Sequence, residues 1–118
     1  MAVSAARKVV ITLSGDVDGV QGIDAATNAT SPGSITVQVL ASGFNTISVP
    51  TSTGVTVTAV TIVPPSANST SITLKGVTGD TGIRIHNTDP TTIAIHSGVT
   101  AIGLTAGAEI QGVRFFWT

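Results

Sequence analysis

The chain has 118 residues, a formal net charge of -1 and only 9% charged side chains against 42% hydrophobic ones. That balance gives no basic field, which argues against nucleic acid or an anionic membrane as a partner. Without a cysteine there is no disulfide framework, thiol nucleophile or thiolate metal site.

A chain of this length forms one domain with a two-layer core: residues 1–7 read as a terminal arm and residues 8–118 as a single domain. The start, MAVSAARK, lacks the apolar h-region of a signal peptide, and no run reaches transmembrane length. The expectation is synthesis in the cytoplasm without export by a general secretory route. Arg7 to Ser14, RKVVITLS, is the first predicted strand, with Val9, Ile11 and Leu13 on one face. The following region, Gly15 to Ser34, is rich in Gly, Asp, Asn and Pro and reads as a long loop, with Val17 to Ile23 as the place for a short irregular strand. A loop of that length in a compact domain is usually functional or packed on a neighbour.

Ser34 to Ala41, SITVQVLA, alternates clearly, and the pattern predicts Ile35, Val37 and Val39 inward with Thr36 and Gln38 outward. FNTISVP carries Phe44, Ile47 and Val49 and ends at Pro50, since proline donates nothing to a ladder. Val55 to Val63 alternates Val and Thr, and Pro64 to Asn68 is a rigid crossing between sheets. Ser71 to His96 then reads as a three-stranded meander. Ile72, Leu74, Ile83, Ile85, Ile93 and Ile95 lie on one face, and Thr73, Lys75, Arg84, His86, Thr92 and His96 on the other. Such a meander needs a second sheet over its apolar face. Val99 to Leu104 and Ile110 to Trp117 close the domain, with Phe115 and Trp117 sharing a face and Phe116 opposite. The sum is all-β, an antiparallel β-sandwich of jelly-roll type with roughly eight to nine strands and no helix.

No reactive cluster emerges. Asp16, Asp18 and Asp24 have the look of part of a calcium loop, but the sixth position is Gln21 and no glutamate closes the site. GVTGDTG, Gly76 to Gly82, lacks the Lys-Ser or Lys-Thr pair and the helix of a phosphate loop, so its glycines are read as turn formers. His86 and His96 fall at opposite ends of one hairpin, too far apart to share a metal. No Ser-His-Asp set can be assembled, and Asp89 and Glu109 sit in unrelated turns, unlike paired glycosidase carboxylates. Asn28-Ala29-Thr30 and Asn68-Ser69-Thr70 fit the glycosylation pattern and are discounted without a secretion signal. The chain reads as neither an enzyme nor a cofactor or metal protein. Its charge is far below the roughly 25% of an average soluble domain. One reading is a stable Thr-rich sandwich whose hydroxyls hydrate the surface without charge. The favoured expectation is a surface partly covered by copies of itself or a partner, where charges would have to be desolvated.

The stretch ITLKGVTGDTGIRIHNTDPTTIAI and the closing GAEIQGVRFFW resemble small all-β virion accessory proteins of tailed bacteriophages: a Gly-Asp-Thr-Gly turn before a strand, a Thr-Asp-Pro turn after it, and an aromatic-rich last strand. The resemblance covers Val60 to Thr118. It implies a structural role in the virion, as a head decoration (cement) protein bound to the major capsid protein or as a tail-tip or fibre-associated protein. It also implies a homo-oligomer, most often a trimer. Expected contact residues are Ala2, Val3 and Arg7 of the arm, Asp16, Asp18 and Asp24 of the long loop, and Phe116 with Trp117. The rival reading is a glycan-binding module, for which only Trp117 and the three phenylalanines are available as platforms.

Overall fold

The computed structural model describes residues 7–11, 23–27, 34–51 and 56–118, and among these it contains ten β-strands and no helix. In chain order they are β1 (Arg7–Ile11), β2 (Ile23–Thr27), β3 (Ser34–Leu40), β4 (Gly43–Ser48), β5 (Ala59–Val63), β6 (Ile72–Lys75), β7 (Ile83–Ile85), β8 (Thr91–Ala94), β9 (Ala101–Ala106) and β10 (Ile110–Trp117). Eight of them form two antiparallel four-stranded sheets, in the orders β3-β10-β5-β8 and β4-β9-β6-β7, while β1 and β2 pair with each other. The all-β expectation holds.

The pairing is nested. β6 pairs with β7, β5 with β8, β4 with β9 and β3 with β10, each antiparallel, as in one long hairpin folded back on itself. Two further pairings, β6 with β9 and β5 with β10, wrap that hairpin into its two sheets. Both sheets then bury one shared core. Leu40, Ile62, Phe115 and Trp117 enter it from the first sheet, and Ile47, Ile72 and Leu104 from the second. Each fully buried aliphatic among them contributes about 1.5–3 kcal/mol relative to exposure.

The predicted meander is split between the sheets. β6 and β7 pair in one, but β8 pairs with β5 in the other, so the Asn87–Pro90 turn is a crossing. Five of the six aliphatics, Ile72, Leu74, Ile85, Ile93 and Ile95, do pack on a common interior, from two sides, whereas Ile83, on the short edge strand β7, is 70% exposed. Period-two alternation fixes which way a side chain points and is silent about which sheet its strand joins. Asn68 braces the crossing by donating from Nδ2 to the Asn87 carbonyl (2.8 Å) and the Thr70 carbonyl (2.9 Å). The Pro64 to Asn68 segment does carry the chain between sheets, from β5 to β6.

β3 is turned over relative to the sequence expectation. Ile35, Val37 and Val39 are 63%, 64% and 55% exposed, while Leu40 is fully buried and Thr36 and Gln38 are half-buried. The cause is the neighbouring strand. Thr36 lies opposite Phe115 and Gln38 opposite Val113, two residues of β10 with no exposed surface. The space beneath this part of β3 is already filled by those residues and by Trp117, whose Nε1–H donates to Thr36 Oγ1 at 3.0 Å. A buried indole N–H needs an acceptor, and only the register with Thr36 inward supplies this one. A slip of one residue flips every side chain on the strand.

Several boundaries also shift. β2 lies within the stretch read as loop, because Asp24, Ala25 and Ala26 are held by pairing with β1 and carry no apolar alternation of their own. β5 begins at Ala59, well after Val55, and Thr58 instead bonds across to the Thr118 carbonyl (3.2 Å). β9 is displaced to Ala101–Ala106. β10 carries a register shift between Ile110 and Val113, a bulge that turns both of these residues inward.

In the Gly76 to Gly82 turn, Asp80 Oδ2 accepts the backbone N–H groups of Gly76 (3.1 Å) and Val77 (3.0 Å). Gly82 closes it at φ +74°, where an added Cβ would strike the Leu74 carbonyl oxygen and approach Lys75 Cγ to 2.7 Å. Gly82→Ala is therefore expected to lower stability by about 1–3 kcal/mol, read as a lower denaturant midpoint at unchanged slope.

Candidate interaction surface

The outward side chains of the first sheet stand in rows set by its register. Ile35, Phe116, Thr61 and Thr92 are successive cross-strand partners on β3, β10, β5 and β8, and Val37, Arg114 and Val63 form the next row. Val39 extends the apolar edge along β3. Thr61 and Thr92 join their hydroxyls at 2.8 Å, closing the β8 side of the face with polar groups. On the β3 side the Arg114 guanidinium carbon lies 5.7 Å from the Phe116 ring centroid. That cation–π contact is worth about 0.5–1 kcal/mol at an exposed site. The result is a stripe of Ile35, Val37 and Val39 bordered by Phe116. Single exposed aliphatics are ordinary, and the contiguous set on one strand makes this face the candidate contact surface.

The expected contact residues are dispersed. Phe116 belongs to this face. Trp117 does not: it is 1% exposed and stacked on Phe115 at 6.0 Å between centroids, so its indole serves the core. Neighbouring residues on a strand point to opposite faces, and only one of the Phe116–Trp117 pair can be outward. The burial of Trp117, with that of Phe115, leaves Phe44 and Phe116 as the aromatic side chains with exposed surface. Arg7 stands opposite Thr27, and Asp24 opposite Val10, both in the β1–β2 pair and outside the two large sheets. Ala2, Val3, Asp16 and Asp18 lie outside the described residues. Sequence reasoning missed Ile35, Val37 and Val39. The available signal was the need of the single Trp for a hydrogen-bond acceptor on a neighbouring strand, which singles out the Thr36–Gln38 face.

Thr36→Val tests that register. The variant keeps the shape and leaves a buried indole N–H without its acceptor, which is expected to cost about 1–2 kcal/mol. Chemical denaturation followed by the fluorescence of Trp117, the one tryptophan in the chain, measures it.

His86 follows β7 and His96 follows β8, in different sheets, so they are not the two ends of one hairpin. His86 Nδ1 accepts the N–H groups of Thr88 (3.2 Å) and Asp89 (2.8 Å), and His96 Nδ1 accepts that of Gly98 (3.0 Å). Both rings thus brace their own turns. Among the described residues no three His, Asp or Glu side chains are grouped to hold a metal ion. An apolar cleft of about 650 Å³ opens between the sheets beside β7 and β8, floored by Val60 and Ile102. Its polar rim is occupied within the turn: Lys75 Nζ donates to the Thr78 carbonyl (3.4 Å), and Asp80 holds Gly76 and Val77. No set of polar groups converges on its interior, as a small-molecule site requires.

No protein-family model, curated protein or solved structure matches the chain.

Proposed function

We propose that this chain is a structural accessory protein of a tailed-phage virion, a decoration (cement) protein that binds the head surface and bridges capsid subunits. It is made in the host cytoplasm and resides in the virion as a homo-oligomer. The observation that carries the reading is the apolar stripe of Ile35, Val37 and Val39 beside Phe116 on the outer face of a sheet. Three further features support it. The nested strand order, shared between two sheets over one core, has the form of a β-sandwich of the jelly-roll kind, an architecture used by viral capsid and lectin domains. Only 9% of the residues are charged, which lowers the desolvation cost of covering the surface. The turns and last strand between Val60 and Thr118 resemble those of small phage virion proteins. A fold alone does not assign a function, so the weight rests on the surface.

The mechanism is additive burial. Each bound copy hides its stripe against capsid protein, so that expansion or rupture of the shell must first strip these contacts. No step of chemistry is required.

Cosedimentation with expanded heads of the encoding phage, stripped of accessory proteins, tests the reading. The chain is expected to pellet with the heads and saturate at a fixed ratio to capsid subunits. Ile35→Ser, at an exposed position, removes most of one buried aliphatic and should weaken binding about 10–100-fold. A chain that stays in the supernatant, or is found only at the tail of intact virions, contradicts the decoration role.

A further inference from the structure

We propose that two copies of this chain join edge to edge through β3, antiparallel about a twofold axis at Val37. The two β3-β10-β5-β8 sheets then become one eight-stranded sheet with a single apolar face. The purpose of the pairing rests on the adhesion reading above; its existence does not.

β3 pairs with β10 on one side, and among the described residues no strand pairs with its other edge. Natural proteins guard such edges with charge, proline, bulges or short length. β3 has seven residues, SITVQVL, with no charge and no proline, and the ladder shift next to it lies in β10. The other free edges differ. β7 has three residues with Arg84 at its centre, β8 has four and follows Pro90, and β4 shows exposed Thr46 and Ser48 on its outer face. Among the described edge strands of the two four-stranded sheets, β3 alone combines an unguarded edge with an apolar outer face.

The strand is self-complementary. In an antiparallel pair, residues directly opposite share a face. With the axis at Val37, that residue meets the partner's Val37, Ile35 meets the partner's Val39, and Val39 meets the partner's Ile35. All three pairs stand on the outer face, and Thr36 meets the partner's Gln38 on the inner one. Apolar cross-strand pairs of this kind favour one register. Charge does not oppose it: the two Arg114 side chains lie three strand spacings apart, about 14 Å, beyond a Debye length of roughly 8 Å.

Area argues for the pair as the docking unit. Ile35, Val37 and Val39 of one copy expose on the order of 300 Å², well under the roughly 800 Å² per partner of a standard interface. Two stripes meeting across the axis, each bordered by its Phe116, present roughly 700 Å² as one patch. A single copy offers too little surface to dock; a dimer offers nearly the standard amount.

Charge exchange at the axis tests this without any virion component. Sedimentation equilibrium at micromolar concentration should give twice the 11.8 kDa chain mass. Val37→Lys and Val37→Glu each place like charges opposite one another and should each weaken dimerisation at least tenfold. An equimolar mixture of the two variants should restore a heterodimer. Val37 is 64% exposed, so both variants should keep the wild-type Trp117 emission, with Val37→Lys, which faces Arg114 across the ladder, melting somewhat below Val37→Glu. A monomeric or trimeric wild-type chain, dimers untouched by either charge, or a mixture that stays monomeric would each overturn the pairing. The two readings fail separately. A dimer that ignores heads defeats the decoration role alone, and a monomer that binds them defeats the pairing alone.

Discussion

Trp117→Ala is expected to lower the free energy of unfolding by about 3–5 kcal/mol, the range for emptying an aromatic site in a packed core. The side chain is 1% exposed, lies 6.0 Å from the Phe115 ring centroid at an interplanar angle of 16°, and gives its N–H to Thr36. No part of that site is bathed in solvent, and β10 sits between β3 and β5 and has little freedom to collapse inward. Domains of this size are stable by about 5–15 kcal/mol, so the loss consumes much of the margin. Scanning calorimetry should show a melting temperature lower by about 10–20 °C. Trp117→Phe retains most of the volume and should cost less than half as much. A shift of only a few degrees for the alanine variant would mean that the indole does not set the core.

Gly103→Ala should be nearly as damaging, about 2–3 kcal/mol, although it adds a single carbon. Gly103 lies on β9 between β4 and β6, and its outer side is closed by neighbours. A Cβ there would meet the Lys75 carbonyl oxygen at 2.6 Å and Phe44 Cε2 and Cζ at 2.7 Å. The ring can move, but the carbonyl is held in the β6–β9 ladder, where Lys75 and Gly103 are partners. The double variant Phe44→Ala/Gly103→Ala is therefore expected to be less destabilised than the two single changes added together, because the ring clash disappears. It should remain below Phe44→Ala alone, because the carbonyl clash stays. Strict additivity in denaturant titrations would contradict the contact.

Much of this architecture was legible in the alternation of Val, Ile and Thr. Nearly every strand from β3 onward follows such a run, the Phe115/Trp117 face is inward as alternation requires, and the Pro64 to Asn68 crossing was marked by its prolines. Sheet membership was not legible. Ile93 and Ile95 alternate as Ile83 does, yet β8 joins β5 and β7 joins β6, a choice made by the long-range nesting. The orientation of β3 was readable only through a tertiary demand. Taken alone, SITVQVL places three aliphatics on one face and reads as inward; beside β10 that face turns out, because Phe115, Val113 and Trp117 fill the space beneath it. The exposure of Ile35, Val37 and Val39 was therefore not anticipated, while the outward direction of Phe116 followed from alternation.

The most direct test is thiol footprinting, which a chain without cysteine permits cleanly. Val39→Cys and Leu40→Cys place a thiol at adjacent residues that are 55% and 0% exposed. In the free protein the thiol at 39 should react with a maleimide at nearly the rate of a small-molecule thiol, and the thiol at 40 at least a hundredfold more slowly. On expanded heads, the thiol at 39 should become protected. Fast labelling at 40 with slow labelling at 39 would put the apolar face of β3 inside the fold, and undiminished labelling at 39 on saturated heads would show that contact is made elsewhere.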